Sequence, residues 1–304
     1  MPAAVSLIVP TQRRPAGLAT ALRSLAGQTG VDLATVELIV ADNDAVPSAR
    51  AAVDAFAASA PFPVRYVHEP CPGVANVRNA ALAAAAAPLI AFLDDDEEAP
   101  PHWLAALLQA QRSLDADVVF GPVRGRAPDG VAHRAYLEAF FSREGPVETR
   151  TLDHYYGCGN SLVRRAALPH PEAPFDPSRN ASGGEDDLLF GTMQQRGATF
   201  AWAHEAFVWE DPIPARLTLA YALRRAFAYG QGPSEHAAAQ RNVPGIVGWM
   251  LAGLAQSALW APVAAIKWLT LAPDRALPLD RLMRGLGKTL WFPPFSQTFY
   301  GRPS

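Results

Sequence analysis

The apolar positions of the N-terminal half fall into short unbroken runs separated by longer stretches with helical spacing. Residues 5–10 form one such run, the length of a buried strand, and Thr11-Gln12-Arg13-Arg14 follows as a loop. Pro15 opens an amphipathic helix with Leu18, Ala21, Leu22 and Leu25 on one face, closing near Gly27. The same reading predicts a strand over 36–41 that ends in Asp42-Asn43-Asp44, a helix over about 48–56 and a strand over 64–67. A helix from Val74 through the alanines up to 87 then precedes a strand at 89–93, a helix over 101–113 and a strand over 117–123. Strands that alternate with helices imply βαβ units, hence the α/β class with a doubly wound, mostly parallel sheet.

One strand ends unlike the others. The run at 89–93 stops in Asp94-Asp95-Asp96-Glu97-Glu98. Clustered carboxylates repel and raise one another's pKa. A divalent cation relieves that repulsion, and hard cations such as Mg²⁺ or Mn²⁺ select carboxylate oxygens while keeping positions open for phosphate. A solvated acidic turn is the competing explanation. Ligands of open α/β sheets bind at the carboxyl ends of strands, the rim on which both Asp42 and these acids belong. The first strand is followed by neither a Gly-x-Gly-x-x-Gly nor a Gly-Lys-Ser/Thr. A nucleotide held by carboxylates and a metal, without a glycine cradle, points to a nucleotide-sugar site.

Several motifs strengthen this in order. Ser6-Leu7-Ile8-Val9-Pro10-Thr11, Ile39-Val40-Ala41-Asp42-Asn43, Gly73-Val74-Ala75-Asn76-Val77-Arg78-Asn79-Ala80 and Phe92-Leu93-Asp94-Asp95-Asp96 occupy the first half. Gly157-Cys158-Gly159-Asn160-Ser161, Phe175-Asp176 and Gly183-Gly184-Glu185-Asp186-Asp187 follow. Together they resemble the family 2 glycosyltransferases, the inverting nucleotide-sugar enzymes of the A-type fold, over about residues 5–225. The resemblance implies a metal-dependent transfer of sugar, with inversion, from a UDP- or GDP-linked donor to a hydroxyl of a lipid or lipid-linked saccharide in envelope or exopolysaccharide assembly. It implies that Asp42 accepts the base N–H, with Pro10 and Thr11 lining the same pocket and Arg78 close to the nucleotide. Asp94, with Asp95 beside it, would hold the ribose or sugar. Asp96 would bind the Mn²⁺ or Mg²⁺ that bridges the diphosphate. Asp186 would be the general base and Glu185 its neighbour at the acceptor.

The chain departs from the family in two places. Gln12-Arg13 stands where an aromatic and an Asn are usual. Val208-Trp209-Glu210-Asp211 stands where many relatives carry a metal-binding His, so Glu210 is the candidate substitute, a carboxylate being an acceptable ligand for a hard metal. Two rivals remain: a nucleotidyltransferase, which would carry a basic, Gly-rich triphosphate loop after the first strand, and a catalytically silent saccharide- or lipid-binding scaffold of the same fold.

Charge and hydropathy alter the picture mainly at the C-terminus. The net charge of −3 conceals a split: from Arg224 onward nine basic residues face three acids, a balance of +6 that leaves −9 elsewhere. Residues 243–266 contain no charge and include Trp249, Met250, Leu251, Leu254, Leu259 and Trp260. At roughly 24 residues that stretch is long enough to span a bilayer, although its glycines, Gln256, Ser257 and Pro262 suit an interfacial helix as well. The expected organisation is a catalytic domain over 1–225, nucleotide-binding to about 125 and acceptor-binding after it, then a helical, membrane-associating tail over 226–304. An anionic membrane surface, and no nucleic acid, is the expected macromolecular partner. Cys71 and Cys158 are too few for a disulfide framework, and no basic region with an apolar core opens the chain. A reducing compartment and no export are expected from these, and with the tail the expected location is the cytoplasmic face of the inner membrane, peripheral or monotopic.

Overall fold

The structure, a computed structural model, describes residues 3–180, 183–295 and 297. It begins β1 (Val5–Thr11), α1 (Pro15–Ala26), β2 (Val36–Asp42), α2 (Arg50–Ala57), β3 (Val64–His68), α3 (Val74–Ala84) and β4 (Leu89–Phe92). Next come β5 (Glu97–Glu98), α4 (Trp103–Leu114), β6 (Val118–Phe120), β7 (Val123–Gly125), α5 (Arg134–Phe141), β8 (Arg150–Leu152) and β9 (Ser161–Arg164). The chain continues through α6 (Glu185–Gln195), β10 (Phe200–Trp202), β11 (Val208–Glu210) and the helices α7 (Leu219–Ala239), α8 (Val243–Leu269) and α9 (Ala276–Thr289). Two compact units result. Among the described residues, one comprises the chain up to Arg124 with Ser142–Asp211; the other comprises Gly125–Phe141 with the residues after Asp211.

The first unit is built on an eight-stranded sheet of order β3-β2-β1-β4-β9-β6-β10-β8. β3, β2, β1 and β4 are parallel, β9 runs antiparallel to both its neighbours, and β10 is parallel to β6. Within β1, Leu7 and Val9 join one buried cluster and Ile8 the other, so both faces are covered. That is why the strand reads as an unbroken apolar run rather than an alternation. α1 buries the four residues that its spacing predicts, Leu18, Ala21, Leu22 and Leu25. Full burial of each large side chain contributes about 1.5–3 kcal/mol.

Two sequence expectations shift. The strand expected over 117–123 is two strands, because Gly121-Pro122 divides it. Pro122 has no N–H for a ladder, and its carbonyl instead accepts from Asn160 Nδ2 at 2.8 Å. Past that break the chain leaves the large sheet for a small one of order β5-β11-β7. The helix expected through residue 87 ends at Ala84, since Pro88 disfavours helix in the residue before it. The Ala86 and Ala87 N–H groups donate to the Glu37 carboxylate and the Ser6 hydroxyl instead.

In the second unit α9 is the centre. Gly287 of α9 lies against the Phe227 carbonyl of α7, and Gly253 of α8 against the Gly285 carbonyl of α9. A Cβ on Gly253 would stand 2.6 Å from that oxygen, so the helices approach this closely only through glycine. Gln256, the midpoint of α8, donates to the Arg281 carbonyl at 2.6 Å and accepts from Lys288 Nζ at 2.7 Å. α5 belongs here as well, with the Tyr136 hydroxyl donating to Asp280 at 3.2 Å and Phe140 against Tyr229. α8 is long and apolar enough to cross a membrane, and it buries only Gly253 and Ala264. Val247, Leu251, Leu254, Leu259 and Ile266 are exposed on it.

Candidate active site

β1 and β2 end side by side, with Thr11 in register with Asp42. The Asp42 carboxylate is fully buried and accepts from Ala49 N at 2.7 Å, the Tyr66 hydroxyl at 2.8 Å and Asp44 N at 3.1 Å. Asn43 beside it fixes the next loop: its amide donates to the carbonyls of Glu69 and Cys71 and accepts from Gly73 N. Pro10 precedes Thr11 on the same strand end, opposite Ala41.

The acids beyond β4 divide by direction. Asp95 turns inward, accepting from the Thr11 hydroxyl at 2.7 Å and from Gln12 N at 3.4 Å, with Arg14 Nη1 at 3.2 Å from its other oxygen. Burial pushes its carboxyl up to about 6, against the opposing pull of Arg14. Asp95 thus ties the β1 loop to the acid turn, while Asp94 keeps a partly exposed carboxylate. Asp96 is ion-paired with the same Arg14 nitrogen. Glu97 is buried, accepts from Asp94 N at 2.9 Å and has Arg143 Nη2 at 3.9 Å. Desolvation, reinforced by Asp94, raises its carboxyl well above the ordinary range.

Arg78 on α3 joins this cluster to the second group of acids. Its Nη1 donates to Glu185 at 2.6 Å and its Nη2 lies 3.4 Å from Asp94, while the guanidinium sits 5.5 Å from the centre of the Phe175 ring. Desolvation opposes its charge, yet Cys158 and the carboxylates of Asp94, Asp186 and Glu185 raise its pKa above the ordinary value. Asn79, one residue on, exchanges two hydrogen bonds with the Phe175 backbone. Glu185 is therefore buried in an ion pair. Asp186, in the first turn of α6, accepts from Cys158 N at 3.2 Å and from Asp187 N at 2.9 Å. A Cβ on Gly157 would stand 3.3 Å from Asp186 Oδ2 and 3.1 Å from Arg143 Nη1, so that glycine gives both groups room.

Glu210 reaches the same place through the small sheet. It pairs with Glu97 across β11 and β5, and Asp211 N donates to the Asp96 carbonyl at 2.8 Å. Asp94, Asp96 and Glu210 are hard oxygen donors suited to Mg²⁺ or Mn²⁺. Among the described residues no three His, Cys, Asp or Glu side chains are gathered tightly enough to hold a metal by themselves. The set fits a cation that takes few protein oxygens and completes its shell from a diphosphate. Glu97, Arg143 and the Arg14 contact were not singled out by sequence reasoning. The only signal for Glu97 was its place in an acid run, and nothing in the sequence distinguished the buried member from the exposed ones.

Arg78 thus links the acid-tipped central strand to a helix N-terminus carrying Glu-Asp-Asp. The chain belongs to glycosyltransferase family 2, which matches residues 6–170 under the description "Glycosyl transferase family 2". It is 40% identical over 232 residues to the succinoglycan biosynthesis protein ExoM of Rhizobium meliloti, covering 75% of this chain and 73% of ExoM. In fold it is similar to the mannosyltransferase PcManGT of Pyrobaculum calidifontis, solved with GDP-Man and Mn²⁺. The TM-score is 0.62 at 19% identity over 96% of this chain and 88% of that one. S. aureus TarS is similar too: its 1–349 piece with UDP gives a TM-score of 0.53 at 17% identity over 94% of this chain and 89% of that piece. This chain spans 40% of the longer TarS chain. The fold is thus the A-type nucleotide-sugar transferase fold, and the protein is a glycosyltransferase.

Proposed function

We propose that the protein transfers a sugar, with inversion, from a UDP- or GDP-linked donor to a hydroxyl of a lipid or lipid-linked saccharide in exopolysaccharide assembly. The observation that carries this reading is the Arg78 clasp, in which one guanidinium holds Asp94 on the donor side and Glu185 beside Asp186. In-line displacement needs a base on the acceptor side and neutralisation of the leaving diphosphate on the other, and the clasp ties Asp94 on the donor side to the neighbour of Asp186. Asp186 takes the proton of the acceptor hydroxyl as its oxygen attacks the anomeric carbon. The bond to the diphosphate oxygen breaks, and the leaving group departs with the electron pair. Glu185, neutralised by Arg78, positions and does not act as base.

Asp42, Pro10, Thr11 and Arg78 serve the nucleotide, Asp94 the ribose or sugar, and Asp95 braces the loop they share. Asp96 and Glu210 would hold Mn²⁺ or Mg²⁺, which neutralises the leaving diphosphate. The GDP-Man and Mn²⁺ bound by PcManGT, the UDP bound by TarS and the succinoglycan role of ExoM support these assignments. The second unit docks on the anionic cytoplasmic leaflet with α8 lying in the plane of the interface. α8 is about 40 Å long, more than a span needs, but the Lys288 ammonium sits on its midpoint residue Gln256. A spanning α8 would carry that cation to mid-bilayer, at about 2.5–3.5 kcal/mol on insertion scales.

The test is Asp186→Asn. Donor binding is expected to persist while transfer falls by about 10²–10⁴, the usual contribution of a general base. Near-normal transfer by the folded variant would overturn the assignment.

A further inference from the structure

We propose that Arg14 is the internal counter-ion of the acid turn, held on Asp95 and Asp96 until a divalent cation displaces it. The inference rests on the metal reading above and goes beyond it. A single nitrogen, Arg14 Nη1, contacts both carboxylates: it is 3.2 Å from Asp95 Oδ1 and ion-paired with Asp96 Oδ2. The three side chains are only 20%, 10% and 15% exposed, so little water screens the contact.

The geometry separates the two acids. Asp95 has other donors, the Thr11 hydroxyl and Gln12 N, and loses little if Arg14 leaves. Asp96 is the carboxylate assigned to the metal, and a cation on Oδ2 and the Arg14 guanidinium compete for the same lone pairs. Two positive charges on one oxygen repel, so metal binding and the Arg14 contact weaken each other. Arg14 stands immediately before Pro15 at the loop-to-helix turn, and its side chain points at the acid turn. Once displaced, the guanidinium is free to take an oxygen of the incoming diphosphate, a ligand that suits its planar fork. The cation and the donor thereby load together, and the empty site keeps its acids neutralised.

The experiment measures Mn²⁺ binding to the full chain without nucleotide, by titration with the free ion followed by electron paramagnetic resonance. Arg14→Gln is expected to bind Mn²⁺ about tenfold more tightly, the equivalent of roughly 1.4 kcal/mol. Arg14→Lys retains the charge and stays within about threefold of the parent, and Asp96→Asn abolishes the gain. Unchanged or weaker Mn²⁺ binding by folded Arg14→Gln overturns the proposal. A second measurement uses the parent protein alone: modification of Arg14 by phenylglyoxal, read by peptide mass, is expected to accelerate when Mn²⁺ is added. A rate unaffected by Mn²⁺ overturns it equally. Parent protein that binds no Mn²⁺ even with UDP or GDP would remove the metal reading itself, whereas Mn²⁺ binding indifferent to residue 14 removes only the role of Arg14.

Discussion

Asp44 is a carboxylate whose titration follows from one ion pair. Two hydrogen bonds from Arg13, at 2.9 and 2.8 Å, hold its carboxyl at about 2 against an ordinary 3.8. A depressed folded-state pKa contributes stability that is complete above the unfolded value and is lost as pH falls through the folded one. The contribution of Asp44 should therefore be intact above about pH 4 and disappear toward pH 2. Asp44→Asn is expected to flatten the fall of stability across that window, as followed by urea unfolding at a series of pH values. An unchanged slope would show that the Arg13 pair does not govern it. At this scale the sequence exposed which residues carry charge but not which way each faces. Asp94, Asp95, Asp96 and Glu97 are chemically alike in the sequence. Asp95 and Glu97 are buried because Thr11 and the Asp94 backbone supply their donors, both consequences of tertiary placement.

At the scale of elements, periodicity located the parallel strands and α1 well because each buries one continuous surface. It failed at Gly121-Pro122, where an apolar run continues but its hydrogen-bonding partner changes sheet. The uncharged run at 243–266 was legible by composition, and its length is close to that of α8. What composition hid is the seam. Gly253 reads as a diluent of an apolar helix, yet it is where α8 meets Gly285 of α9. Gly253→Leu should force the helices apart and cost about 1–3 kcal/mol through overpacking, measurable as a lower midpoint in chemical denaturation. Gly248→Leu, on the same helix but with open space around its Cα, should cost far less. Equal effects would dismiss the seam.

For the whole molecule the relevant feature is the pairing of exposed apolar and cationic surface in the second unit. Leu251, Leu254 and Leu259 are 60%, 53% and 63% exposed, and Arg281, Arg284 and Lys288 lie on the helix packed against α8. The full chain is expected to sediment with vesicles rich in anionic lipid and to be partly released by salt, because screening weakens only the charged component. Leu251→Asn together with Leu254→Asn should abolish sedimentation without altering nucleotide binding. Protein that remains in the supernatant with such vesicles would leave the apolar face to another partner.

The division of the chain into units also has a consequence in time. α5, ending at Phe141, belongs with α7 and α9, which start at Leu219 and Ala276. At about 5–20 residues per second, a ribosome reaches the start of α7 roughly 4–16 s after finishing α5, and the start of α9 roughly 7–27 s after it. Until α7 emerges Phe140 and Phe141 lack Tyr229 and Tyr221, and until α9 emerges Tyr136 lacks Asp280, although the sheet strands on either side of them in the sequence are already emerging. The newborn chain must therefore set aside a short aromatic helix while it builds a sheet from strands that precede and follow that helix in the sequence. Any slowing of translation between residues 142 and 276 lengthens the time that this helix is open to chaperones and to misassociation.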